Sequence, residues 1–291
     1  MAEFLQFLFS GLTVGAIYAM VGVGFAIIYN SSQVINFAQG EFVMIGGMAT
    51  VALTANAGLP LALAVPIAIA IAALTGLALQ KFAIEPSRGA SVATVIIITI
   101  GASIFIRGVV EVALGKNDRA LESFSGDEPL RIAGATLLPQ SLWVLGALVA
   151  VAIGLKLFFD RTRVGKAMLA TAQNRLAAQL VGIEVNRIML LSFGLSAALG
   201  ALAGLLTAPI TLTRYDVGIM LGLKGFCAAI LGGLGSAWGA LIGGLLLGIV
   251  EQMSAGYFSS AYKDAVAFVI ILAVLFVRPS GLFGARGTDR V

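Results

Sequence analysis

Three carboxylates lie within or at the end of long apolar runs of this sequence: Glu41, Glu111 and Glu251. A carboxylate at the centre of a bilayer costs about 2.5–3.5 kcal/mol and usually faces a cavity or a partner. Each is therefore a candidate for handling a polar solute or an ion. Asn36, Gln39 and Gly40 precede Glu41 closely, and two readings of this group stand. Glu41 is either a helix-start charge near the interface, where the dipole favours it, or part of a polar path lining with Asn36, Gln39 and Gly40, continued by small residues such as Gly46. Arg107 and Glu111 are four residues apart and share a helix face, so mutual pairing is the better reading. Glu251 ends an apolar run, and an interfacial position explains it equally well.

Other chemistry is excluded by residue type. The sequence has no histidine and one cysteine, Cys227, so neither an internal disulfide nor a thiol–imidazole metal cluster can form. Cys227 reads as a small packing residue. Gly115-Lys116 is followed by Asn117, and Gly165-Lys166 by Ala167, so neither pair completes a phosphate-binding GxxxxGK[ST] loop. GxSxG and HExxH patterns are missing as well. An enzyme reading is therefore disfavoured, and no cofactor of the chain's own is expected.

One long polar passage interrupts the apolar sequence. From Asp160 to Arg187 it carries Arg161, Arg163, Lys166, Arg175 and Arg187 against Asp160 and Glu184. Within it, Met168, Leu169, Ala172, Leu176, Leu180 and Ile183 form one apolar stripe at helical spacing, and Gly182 is a natural stop. Such a helix lies along a membrane surface or docks into a partner's groove.

The elements that must position these groups are membrane spans. Hydrophobic residues make up 59% of the 291 and charged residues 11%, against about 25% charged in soluble domains. At roughly 20 residues per crossing, the length allows about eight or nine passes in a single transmembrane domain. The 36 glycines favour close helix packing in lipid. The formal charge of +4 is spread over short loops without interleaved aromatics, which argues against nucleic acid. Apolar runs cover 4–29, 34–55, 59–79, 91–113, 141–159, 188–208, 221–231, 237–250 and 265–277, the first beginning without a signal peptide's basic region.

With 160–187 cytoplasmic, Lys81 and Arg88 also fall inside, while the N-terminus and the loop 114–140 fall outside. That loop carries Asp118, Glu122, Asp127 and Glu128 against Lys116, Arg119 and Arg131. Arg278, Arg286 and Arg290 fall inside only if 221–250 is broken at Gly232–Ser236 into two passes or half-passes. FAQGEFVMIGG at 37–47 and GLKGFCAAILGG at 222–233 then run in opposite senses, as inverted repeats do. A first repeat over about 4–113 and a second over about 188–278 would follow.

The run GKAMLATAQNRLAAQLVGIEVNRI resembles the coupling loop of ATP-binding-cassette importer permeases of the branched-chain amino acid family. The resemblance extends to SGLTVGAIYAMVGVGFAIIYNSSQVINFAQGEF, LKGFCAAILGGLGSAWGALIGGLLLGIVE and the terminal RPSGLFG, and so to nearly the whole chain. Within the family it is similar to the H-type subunit. The resemblance implies an all-α inverted-repeat fold similar to the vitamin B12-type permeases. It also implies docking of an ATPase subunit through Gly165, Ala170, Asn174, Ala177, Ala178 and Gly182. The implied partners are two ATPases that bind ATP and Mg, a second related permease and a periplasmic amino-acid-binding protein, all at a bacterial inner membrane. Leucine, isoleucine and valine are the implied cargo, with urea, short amides or other neutral amino acids as alternatives. An ion-coupled carrier using Glu41, Glu111 and Glu251 and a facilitative channel are the rival readings.

Overall fold

The computed structural model describes residues 2–87, 89–126, 128–132 and 134–284; Met1, Arg88, Asp127, Arg286 and Arg290 lie outside them. Every apolar run becomes helix, the form in which a lone segment satisfies its own backbone in lipid. The order is α1 (Ala2–Ser32), α2 (Gln39–Val51), α3 (Leu61–Leu79), α4 (Val92–Leu114), α5 (Pro139–Arg161), α6 (Arg163–Gln173), α7 (Arg175–Leu180), α8 (Val185–Thr211), α9 (Val217–Gly232), α10 (Ala237–Tyr257) and α11 (Lys263–Val277). Among the described residues, seven helices are long and apolar enough to cross a membrane. The helices α2 and α9 are shorter, and a π-helical turn at Ala52–Asn56 extends α2.

The run 221–250 is two helices. The chain leaves α9 at Gly232, and Ser236 caps α10 by accepting a hydrogen bond from the Gly239 N–H at 2.9 Å.

Glycine sets the closest helix contacts. Gly11 and Gly15 of α1 face Gly244 and Gly248 of α10 in antiparallel order. A Cβ on Gly248 would stand 2.3 Å from the Gly15 Cα, so neither position has room for a side chain. The same logic brings α2 against α8, where Gly46 meets Ala201 and Gly204 meets Val43. Helix α2 also lies antiparallel to α9: Phe37, just before α2, meets Phe226 with tilted rings whose centroids are 5.8 Å apart, and Gly40 abuts Gly218 and Gly222.

One end of the bundle gathers the C-terminus of α1, the α9–α10 link and the 160–187 segment. There Asn30 donates to the Gly235 carbonyl at 2.7 Å, and Leu282 N–H to the Leu231 carbonyl at 2.9 Å. The opposite end departs from an all-helical expectation. Strands β1 (Leu130–Ile132) and β2 (Ala135–Leu137) form an antiparallel hairpin with Leu130 opposite Leu137. Gln6 of α1 accepts from the Thr136 N–H at 2.7 Å. Arg119 and Thr213 exchange backbone hydrogen bonds of 2.9 and 2.8 Å, which ties this loop to the α8–α9 link. Beside it, the Asp216 carboxylate accepts hydrogen bonds from Arg214 and raises its pKa above the ordinary arginine value.

Candidate functional site

Polar side chains converge at three places. The first is built on the start of α2. Asn36 is buried in the turn before it and accepts from the Ala38 N–H through Oδ1 at 3.1 Å, shaping the turn. Gln39 is fully buried and locked between helices. Its Nε2 donates to the Ser196 carbonyl at 3.2 Å, and the Ser196 hydroxyl lies 2.7 Å from its Oε1 and 2.8 Å from the Gly24 carbonyl oxygen. Gln39 therefore joins α1, α2 and α8, and it is not among the residues lining the cavity that Glu41 faces. Gly46 is consumed in the same way by its contact with Ala201.

Gly40 and Glu41 do face a cavity, of about 180 Å³, between α2, α4 and α9. Glu41, in the first turn of α2, is only 2% exposed and so is buried within the protein. Ser103 donates to Glu41 Oε1 at 2.7 Å, and Arg107 Nη2 lies 3.3 Å from the same oxygen. The expected Arg107–Glu111 pair is thus replaced. Arg107 turns inward to Glu41, while Glu111, nearer the end of α4, meets Lys116 at 3.0 Å beyond the terminating Gly115. Burial decides this, because a buried carboxylate needs a partner and Glu41 takes the cation within reach. The exposed Lys116 ammonium is raised in pKa by its hydrogen bond to Glu111.

Of the second place, only Glu251 was singled out from sequence. Lys224 of α9 lies 2.8 Å from Glu251 Oε1 of α10 and 2.6 Å from Asp264 of α11, and its ammonium sits 5.3 Å from the ring centroid of Tyr18 in α1. Tyr18 donates to the same Glu251 oxygen at 3.2 Å. Glu251 is 1% exposed, buried among these groups. The available signal was Lys224 itself, a lone cation inside an apolar helix that must have a carboxylate partner.

The third place is the basic segment 160–187, where the single apolar stripe becomes two helices. Asn174 breaks the run with extended backbone and caps α7, its Oδ1 accepting from the Ala177 N–H at 3.0 Å. Thr162 caps α6 in the same way through the Gly165 N–H at 2.9 Å. Gly182, at φ +86°, ends the segment in a conformation that side chains disfavour.

The six expected docking positions divide between two environments. Gly165 is buried against the Phe158 carbonyl, Ala178 is buried and Ala170 half-buried. Asn174, Ala177 and Gly182 are exposed. Met168 of the stripe points inward, whereas Leu176, Leu180 and Val181 are 73%, 88% and 77% exposed. Among the described residues, no group of three or more His, Cys, Asp or Glu side chains is placed to hold a metal ion.

Comparison with known proteins agrees with this architecture. The family described as branched-chain amino acid transport system / permease component matches residues 7–275. The chain is 36% identical to the high-affinity branched-chain amino acid transport system permease protein LivH of Escherichia coli, over 99% of this chain and 98% of LivH. It is 34% identical to the corresponding permease protein BraD of Pseudomonas aeruginosa, with the same coverage. A chain of PsaBC from Streptococcus pneumoniae, solved in complex with Fab, shares the fold alone. It has a TM-score of 0.54 and 16% identity, over 96% of this chain and 93% of that one. With the family match spanning nearly every helix, the chain belongs to the permease components of branched-chain amino acid transport systems.

Proposed function

We propose that this chain is the membrane permease of an ATP-driven importer for leucine, isoleucine and valine in a bacterial inner membrane. It works with a second related permease, two ATPase subunits and a periplasmic binding protein. The N-terminus and the 114–140 segment face outward, and 160–187 and the C-terminus face the cytoplasm. The names of the relatives support the substrate class. The observation that carries the coupling is α7, a short helix capped at both ends that holds Leu176 and Leu180 out from the protein inside a basic segment.

An ATPase subunit with an apolar cleft and an acidic rim suits that helix. Nucleotide binding can then bias the permease only if the partner holds one of its conformations more tightly than the other. Uptake by the full complex in proteoliposomes tests this. Ala177→Glu and Leu180→Asp are expected to leave the permease assembled with its sister permease while ATP hydrolysis no longer drives leucine uptake. Unaltered uptake in both variants, or ATP-independent uptake by this chain alone, would overturn the reading.

A further inference from the structure

Resting on that reading of an amino-acid permease, we infer that the cavity between α2, α4 and α9 is a transit site for a zwitterion with an apolar side chain. Glu41 receives the α-ammonium group and Arg107 the α-carboxylate. Phe25, Ile104 and Phe226 in the cavity wall receive the side chain.

Position is the first support. Ser103, which holds Glu41, lies roughly 16 Å along an α4 of roughly 34 Å at 1.5 Å per residue, and transporters bind substrate near the bilayer midplane.

Open valence is the second. A partly satisfied buried network is costly, and this pair has one, as does the Lys224 cluster, where Glu251 Oε2 has no hydrogen-bond partner among the described residues. Here Glu41 Oε2 and Arg107 Nε have no hydrogen-bond partner among the described residues, although Glu41 is 2% exposed.

Shape is the third. Gly40 and Gly222 line the cavity where α2 and α9 touch, and its volume of about 180 Å³ is below the roughly 300–1,000 Å³ typical of drug-sized ligands. That volume suits a small solute. Adjacent opposite charges match the two ends of an amino acid and repel neither. When the solute leaves, Glu41 and Arg107 neutralise each other, so the site binds well enough to admit and weakly enough to release.

The full complex in proteoliposomes, supplied in turn with L-leucine and L-alanine, tests the assignment. The double variant E41Q/R107M removes both charges, a change that structural ion pairs often tolerate. It is expected to assemble with its partners while leucine uptake falls about ten-fold or more. Ile104 is 62% exposed on this chain, so I104W narrows the cavity without filling the protein's own core. It is expected to lower leucine uptake more than alanine uptake. Leucine uptake within about two-fold of the unaltered complex in an assembled E41Q/R107M would overturn the site, because a charge-assisted contact is worth more than that. Should that variant not assemble, an unchanged leucine-to-alanine ratio in I104W overturns it. Failure of the unaltered complex to move leucine is a different result, and it refutes the proposed function.

Discussion

Lys224 is tolerated within α9 because Glu251, Asp264 and the Tyr18 ring replace its water. Removing the cation alone strands a carboxylate that is 1% exposed. Lys224→Met is therefore expected to destabilise the protein by about 3–5 kcal/mol, and adding Glu251→Gln to restore part of that loss. Thermal unfolding of both variants in detergent measures it, and equal loss in the two would show that the charges are not coupled. Gln39 calls for a related expectation. Because its amide joins three helices, Gln39→Leu is expected to lower the yield of folded protein, whereas a role confined to a path would reduce uptake alone. At this scale the sequence was legible where neighbours are local and not where they are distant. The four-residue spacing of Arg107 and Glu111 suggested a pair, but Glu41, 62 positions from Ser103, took the arginine's contact. Nothing in the spacing of Lys224, Glu251 and Asp264 announces that they meet.

Between helices, contact depth is set by what is missing from a side chain. Gly244 and Gly248 let α10 lie on the backbone of α1 at Gly11 and Gly15, the packing that holds helices together where burial from water supplies no drive. Gly248→Val would place a branched side chain against the Gly15 backbone. The expected result is loss of the folded, monodisperse protein on size-exclusion chromatography, while Gly146→Val on α5, where a Cβ meets nothing, is expected to elute normally. The spans themselves were readable, since a run of apolar residues in lipid has only the helix open to it. The break at Gly232–Ser236 was readable too, from the glycines and the side on which the last arginines must fall. The division between α6 and α7 was not, because apolar periodicity continues through Asn174 and only the cap bond to Ala177 ends the helix. The hairpin at 130–137 was equally hidden, its strands being three residues each.

The whole molecule presents a wide apolar surface on α4, α5 and α11, where Phe105, Ile153 and Phe276 are 71%, 55% and 91% exposed. That surface is suited to lipid or to another permease, and the charged segments are left at the two ends. The 160–187 segment marks one end and the 114–140 segment, bonded to Thr213, marks the other. The coupling proposal requires the first to lie in the cytoplasm, the side that the positive-inside bias favours for it. A thiol-labelling experiment can decide it, because the native Cys227 is 6% exposed and should remain unreactive to a membrane-impermeant maleimide. Cysteines introduced at Asn117 and Gln179, both exposed positions at opposite ends, then report the two faces separately. Asn117→Cys is expected to react in intact spheroplasts, and Gln179→Cys only in inverted vesicles stripped of the ATPase subunits. Restoring those subunits is expected to slow the reaction at Gln179→Cys, because α7 would then be covered. Labelling of both positions from one side would break the alternation of spans, and with it the placement of α7 beside an ATPase.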